Sequence, residues 1–222
     1  MKAMLVDDHE LFREGLALLM EQRFPDVDLR AVAGIQEALQ ALAREPDIEL
    51  ALLDLGLRDS HGLGSLQRLR EAAPELSVVV MSADERPEVI LAAIDQGAAG
   101  FIPKTARGGA IESALRVVLE GGVFLPSTVY RSIAPLPTAG GAGRAPMPSQ
   151  EALAMSLGLS PRQIDVLRLL VQGRSTKLIS RELDLAESTV KTHLIGLFRK
   201  LDVNSRTQAI IAAARLGVTF DV

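Results

Sequence analysis

Asp7 and Asp8 close the first apolar run of the chain, Asp54 closes the third, Ser82 the fourth, and Lys104 follows the fifth. If these runs are neighbouring parallel strands, their carboxyl ends share one rim, where three carboxylates, a hydroxyl and an ammonium converge. Packed carboxylates repel one another unless a cation sits among them. Oxygen-only donors suit a hard ion such as Mg²⁺, with water and phosphate completing its shell. A carboxylate can also accept a phosphoryl group as an acyl phosphate. The ion, Lys104 and backbone N–H groups would then neutralise the phosphoryl oxygens. Taken singly, each aspartate reads equally well as a turn or helix cap, Asp8 in particular for a helix starting near Glu10. On successive strand ends the set favours the chemical reading.

The elements needed to build that rim are present. Ala3–Val6, Leu29–Ala33, Leu50–Leu53, Val78–Met81 and Phe101–Ile102 read as five strands. Helical spacing occupies roughly 10–22, 35–45, 63–73, 86–96 and 107–120, with Leu11, Gly15, Leu18 and Leu19 on one face of the first. Continuous apolarity in the strands fits a sheet covered on both sides. Five βα units in this length predict an α/β fold with a doubly wound parallel sheet. Prolines and glycines from Pro126 to Pro148 then mark a linker. Beyond it only helical spacing remains, near 161–171, 176–183, 187–200 and 205–216.

The chain has 222 residues, enough for one large domain or two ordinary ones, and at 48% apolar and 23% charged it can bury a core. It has no cysteine, which excludes disulfides, thiolate metal sites and Cys nucleophiles. No apolar run approaches the roughly 18 residues of a membrane span, and the start lacks the pattern of a signal peptide. A cytoplasmic protein with no membrane partner is expected. The net charge of −4 divides unevenly: residues 1–125 hold 12 Lys/Arg against 21 Asp/Glu, and residues 126–222 hold 12 against 7. An acidic half joined to a basic half predicts different partners, with nucleic acid the first expectation for the basic one.

The stretches "MLVDDHELFREGL", "ALLDLGL", "VVVMSAD" and "GAAGFIPKT" resemble the motifs of response-regulator receiver domains, a flavodoxin-like fold, across residues 1–120. The resemblance implies that Asp7, Asp8, Asp54 and the Gly56 carbonyl hold Mg²⁺ and that Asp54 takes phosphate from a cognate sensor histidine kinase. It also implies that Ser82 and Lys104 contact the phosphoryl group and that Phe101 is an aromatic switch. Phe101 would fill the space vacated when Ser82 moves toward the new phosphoryl charge. One loop departs from the pattern. Gly56-Leu57-Arg58-Asp59 lacks the Pro-Gly turn common in relatives, so a less pre-shaped loop with Asp59 close to the pocket is expected.

In the basic half, Ser160-Pro161-Arg162-Gln163 carries a capping-box helix start. A tight turn at Asp184–Ala186 between two short helices suggests a helix-turn-helix. On the second of these helices, Val190, Leu194, Leu197, Phe198 and Leu201 should face the core. Ser188, Lys191, Thr192, Ile195 and Arg199 lie opposite, free to enter a major groove. Gly196 weakens that helix by about 1 kcal/mol relative to Ala, and Ala186 at its N-cap forgoes a side-chain cap. The stretch from "GLSPRQIDVLRLL" to "KLDVNSRTQAI" resembles the LuxR-type four-helix DNA-binding domain. Receiver, linker and this domain in that order are similar to the NarL/FixJ family of bacterial transcription regulators.

That resemblance implies a receiver over 1–122, a linker over 123–154 and a LuxR-type helix-turn-helix domain over 155–222. Lys191 and Thr192 become the leading base-contact residues, with Ile195 where relatives carry a polar base reader. Lys177, Ser188, Thr189, Arg199 and Arg206 become phosphate contacts. The expected function is a two-component response regulator, not an enzyme. Phosphorylation of Asp54 would control homodimerisation and promoter DNA binding, with RNA polymerase as a further partner. The opposite charges of the halves add an expectation that the unphosphorylated receiver shields the basic domain. Two other readings stand beside this one. A haloacid-dehalogenase-type phosphatase also uses an aspartate after a strand, but needs a second acid where this chain has Gly56. A phosphorylation-independent regulator would use the receiver as a protein- or ligand-binding module, which leaves the complete acidic set unexplained.

Overall fold

The computed structural model describes residues 1–106, 108–133 and 157–216. The apolar runs become five parallel strands: β1 (Lys2–Val6), β2 (Asp28–Val32), β3 (Ile48–Asp54), β4 (Ser77–Ser82) and β5 (Gly100–Pro103). Their order in the sheet is β2-β1-β3-β4-β5. β1, β3, β4 and β5 are buried almost throughout, as strands covered on both faces must be. β2 is an edge strand, and Asp28 and Arg30 on it are exposed, so its free edge carries charge.

Between the strands run α1 (Glu10–Arg23), α2 (Ile35–Arg44), α3 (Leu63–Ala72) and α4 (Pro87–Asp95), and α5 (Gly108–Leu119) follows β5. The chain reverses its direction of strand addition between β1 and β3, so this pair is the switch point of the doubly wound sheet. On α1 the core takes Leu16 and Met20, while Leu11 and Leu18 are exposed. The face expected from Leu11, Gly15 and Leu18 therefore points to solvent. Leu16 and Met20 stand four apart, and that shorter stripe meets the sheet.

The remaining helices are α6 (Ser127–Ile133), α7 (Pro161–Val171), α8 (Thr176–Leu183), α9 (Glu187–Leu201) and α10 (Arg206–Arg215). The chain divides into two compact units: Met1–Arg116 with Phe124–Pro126, and Val117–Val123 with Ser127–Val222. α6 falls inside the linker expected over 123–154, whose residues 134–154 lie outside the described ones. Pro126 precedes its start, and Val129 is fully buried, so this turn of chain is held by an apolar anchor.

In the second unit α9 packs against α7, α8 and α10. Ser160 and Gln163 form the expected capping box at the start of α7. Asp184 ends α8 and Asp202 ends α9, both in the left-handed conformation, with φ of 52° and 54°. Aspartate tolerates that region better than most residues because its short carboxylate can bond locally. The first of these caps sets the tight turn before α9, the second helix of the pair.

Candidate functional site

Register places the acidic cluster. Val6 pairs with Leu53 across β1 and β3, so the next residue on each strand, Asp7 and Asp54, emerges side by side at the switch point. Asp54 pairs with Met81 and Ser82 with Pro103, carrying the same rim across β4 and β5. Asp7 and Asp54 are buried and the Asp8 side chain is only 10% exposed. Lys104 reaches back over them, its Nζ 2.7 Å from Asp54 Oδ2 and 2.7 Å from Asp7 Oδ2. The ammonium also stands 4.8 Å from the centre of the Phe12 ring. Arg13 donates to the Asp7 carbonyl at 2.7 Å, which braces the turn from β1 into α1.

Asp8 is not the cap of α1. His9 holds the N-cap position without a side-chain bond, and its backbone N–H donates to Asp7 Oδ1 at 2.9 Å. Asp8 is thereby left to the pocket, where its Oδ2 meets Arg58 Nε at 3.1 Å. The His9 ring also enters the cluster: one donor atom each of Asp7, Asp8, His9 and Asp54 lies within 4.8 Å of the others. Neither His9 nor Arg58 was expected there. The only sequence signal for His9 was its place directly after the paired aspartates.

These residues fit a hard cation. Asp7 Oδ2, Asp8 Oδ1 and Asp54 Oδ2 are buried without a hydrogen bond, so Lys104 meets two of them as a charge and not as a well-aligned donor. A Cβ built on Gly56 would stand 3.2 Å from Asp54 Oδ2, so the glycine keeps open the flank of the carboxylate.

The loop after β3 is better shaped than the missing proline suggested. Leu55 and Leu57 are buried, and the Gly62 N–H donates to the Leu55 carbonyl at 3.0 Å. Asp59 does not crowd the pocket. It accepts from the backbone N–H groups of Ile35 and Gln36, both at 3.2 Å, and so caps α2 from a distant loop. Gly34 is the N-cap of α2, and a Cβ there would fall 2.5 Å from Asp59 Oδ2.

Ser82 is buried at the rim, where its Oγ accepts from the Asp84 N–H at 3.1 Å and its carbonyl accepts from the Lys104 N–H at 2.8 Å. Asp84 is held at a pKa of about 2 by hydrogen bonds from Arg86. Phe101 lies fully buried on β5, two residues before its end, with its N–H on the Phe124 carbonyl at 2.9 Å. Phe101 is therefore an inward ring behind the rim in this structure.

In the second unit, α9 buries Val190, Leu194 and Leu197, with Phe198 and Leu201 half-buried. Ser188, Thr189, Lys191, Thr192, Ile195 and Arg199 are exposed along it, and Lys177 is exposed on α8. Ile195 is 68% exposed, unusual for a large β-branched apolar residue. Thr192 Oγ1 donates to the Ser188 carbonyl at 3.0 Å, so its hydroxyl is engaged by its own helix. Arg206 stands apart from this display. It opens α10 with its guanidinium largely buried, Nε and Nη2 without hydrogen-bond partners, and desolvation lowers its pKa to about 10. From sequence it was one more cation after a helix cap, since burial of a side chain at a helix start has no local signature.

Gly196 also has a reason that propensity missed. A Cβ there would lie 2.7 Å from Gln163 Nε2. Gln163 Oε1 takes the N–H of Ser160 at 3.0 Å and the Lys200 ammonium at 2.8 Å. The glycine thus makes room for the side chain that ties the start of α7 to α9.

Comparison with known proteins matches this anatomy. Residues 3–116 match the family described as the response regulator receiver domain. Residues 157–213 match the luxR family of bacterial regulatory proteins. The glycerol metabolism activator of Pseudomonas putida is 36% identical over 220 residues, covering 98% of this chain and 97% of that protein. The nitrate/nitrite response regulator protein NarL of Escherichia coli is 32% identical over 208 residues, covering 94% and 92%. Among solved structures, the RcsB response regulator of Salmonella typhimurium shares the fold with a TM-score of 0.53 at 20% identity, covering 95% of this chain and 96% of that one.

Proposed function

The chain belongs to the response regulators that join a receiver domain to a LuxR-type DNA-binding domain, and from that premise we propose that phosphorylation of Asp54 controls its binding to promoter DNA. Its function is that of a two-component response regulator acting on transcription. The reading of Asp54 rests above all on one observation: its carboxylate is buried beside two others, with the Lys104 ammonium 2.7 Å from Oδ2.

Phosphoryl transfer from the histidine of a sensor kinase forms a bond between phosphorus and an Asp54 oxygen and breaks the phosphorus–nitrogen bond. The imidazole leaves and takes up a proton. Asp7, Asp8, Asp54 and the Gly56 carbonyl would hold Mg²⁺, which supplies charge neutralisation for the phosphoryl oxygens. Lys104 is placed to follow the phosphoryl group, exchanging a carboxylate for it. Ser82 must give up the Asp84 N–H or share its oxygen to reach the same group. That movement opens the space toward which Phe101 can turn, changing the surface of the receiver.

The DNA reader is α9. Lys191 and Thr192 face base edges, the Thr192 methyl suiting a thymine methyl, and Ile195 adds an apolar contact. Lys177, Ser188, Thr189 and Arg199 hold phosphates. Arg206 joins them only by leaving its buried place. Two copies of α9 in a homodimer would read two half-sites. Intact-mass measurement after incubation with acetyl phosphate and Mg²⁺ tests the acceptor. One phosphoryl addition is expected on the natural chain and none on Asp54→Ala; equal labelling of both would refute the assignment.

A further inference from the structure

α9 carries its buried apolar residues on one face. Val190, Leu194 and Leu197 are covered by the helices around them, and Ile195 is left outside with 68% of its surface exposed. A single exposed apolar side chain is common and by itself needs no explanation. Ile195 differs in its neighbours. Lys191 stands four residues before it and Arg199 four residues after, both exposed, so the three share one stripe of the helix. β-branching also makes isoleucine a poorer helix former than the leucine, lysine or arginine that an exposed position would accept equally well. Both features disfavour isoleucine there in the free chain, and both are offset once the stripe is covered.

A covering surface made of base edges narrows what such a side chain can meet. In the major groove guanine shows two acceptors, adenine an acceptor and a donor, and cytosine a donor, while thymine shows an acceptor beside its C5 methyl. Isoleucine pressed on a polar edge removes water from it and offers no hydrogen bond, which weakens binding. Against the methyl it buries apolar surface on both partners. The hydroxyl of Thr192, three residues earlier, is already donated to the Ser188 carbonyl at 3.0 Å, so it adds no donor beside Ile195. Lys191, one turn earlier, remains the group able to donate to guanine.

We infer that Ile195 fixes a thymine in each half-site by packing on its C5 methyl, one turn of α9 beyond Lys191. The inference rests on the reading of α9 as the DNA-reading helix and is independent of Asp54. It has a chemical consequence. A cytosine methylated at C5 displays the same methyl in the same groove, so Ile195 accepts thymine and 5-methylcytosine and disfavours uracil and cytosine. Binding at that base pair therefore responds to C5 methylation of the DNA.

The test uses the full chain, both untreated and after acetyl phosphate with Mg²⁺, so that the state of Asp54 does not decide it. Selection from a random duplex pool first gives the half-site that the natural chain prefers. Each thymine of that half-site is then replaced in turn by deoxyuridine, which keeps the base pair and removes only the methyl. Fluorescence anisotropy reads affinity for the natural chain, Ile195→Val, Ile195→Ala and Thr192→Ser. Both side chains are exposed, so these changes leave the core of the unit in place. At one thymine the natural chain should lose about fourfold, the worth of one methyl group withdrawn from water. Ile195→Val should keep most of that preference, Ile195→Ala should lose it, and Thr192→Ser should leave it unchanged. With a C·G pair at that place, C5 methylation of the cytosine should strengthen binding of the natural chain and of Ile195→Val, but not of Ile195→Ala.

A preferred half-site without thymine, or a deoxyuridine penalty equal in the natural chain and Ile195→Ala, would overturn the role of Ile195. So would a penalty abolished by Thr192→Ser and kept by Ile195→Ala. Enrichment of no sequence at all would strike the reading of α9 as the DNA reader, and this inference with it. A half-site preference that Lys191→Ala relaxes and deoxyuridine leaves untouched would strike this inference alone.

Discussion

Gly34 opens α2 without a side chain to cap it, and Asp59 supplies carboxylate oxygens to the first N–H groups of that helix from a loop 24 residues away. A carboxylate at a helix N-terminus is favoured by both the unpaired N–H groups and the helix dipole. Asp59→Ala should therefore cost about 1 kcal/mol in urea unfolding, as the loss of a cap does. Gly34→Ser placed in the Asp59→Ala chain should recover most of it, because a serine there can cap α2 locally. Placed alone, Gly34→Ser should destabilise, since its Cβ would meet Asp59 Oδ2 at 2.5 Å. Additive effects of the two changes would contradict this account. None of it was visible in the sequence, where Asp59 was one of many charges near the pocket. The strand-end aspartates were legible because strand order and period alone bring Asp7, Asp8 and Asp54 to one rim. His9, Arg58 and Asp59 depend on side-chain directions across a turn, which periodicity does not carry.

Helix and strand positions were legible almost throughout, since apolar runs and capping residues such as Ser160 and Gln163 act locally. The reason for Gly196 was not, because its neighbour Gln163 comes from another helix. Helix propensity alone predicts that Gly196→Ala stabilises by about 1 kcal/mol. The contact with Gln163 predicts the reverse, as overpacking strains a filled interface. Thermal unfolding should show Gly196→Ala less stable than the natural chain and the Gln163→Ala, Gly196→Ala double change less harmed than the singles add up to. α10 offers a second case. Burial lowers the pKa of Arg206 to about 10, so the unfolded chain binds this proton more tightly than the folded one. The resulting penalty is full at neutral pH and is relieved only as pH rises above about 10. Arg206→Met keeps the apolar stem and removes the charge, and it should raise the melting temperature at pH 7. A lower melting temperature would mean that the guanidinium is better paired than its surroundings suggest.

Over the whole molecule, charge divides as function does: a surplus of acids up to residue 125 and of bases beyond it. The acids include the buried cluster at the switch point, and the bases include the exposed Lys177, Lys191 and Arg199. Binding that releases counterions from DNA weakens with salt in proportion to the phosphates neutralised. Lys177→Ala and Arg199→Ala should each flatten the slope of log affinity against log salt by about one and leave sequence preference intact, whereas Lys191→Ala should relax it. A preference altered by Arg199→Ala, or an unchanged slope in both phosphate variants, would reassign those residues. Among the described residues no helix is long and apolar enough to cross a membrane. Under the proposed function, phosphorylation of Asp54 couples the acidic unit to the basic one. Genome-wide DNA occupancy of the natural chain and of Asp54→Ala, expressed at equal levels in the native host, tests it most directly. Discrete promoter sites that weaken or vanish in Asp54→Ala are predicted; the same sites at the same occupancy in both would contradict phosphorylation control of DNA binding.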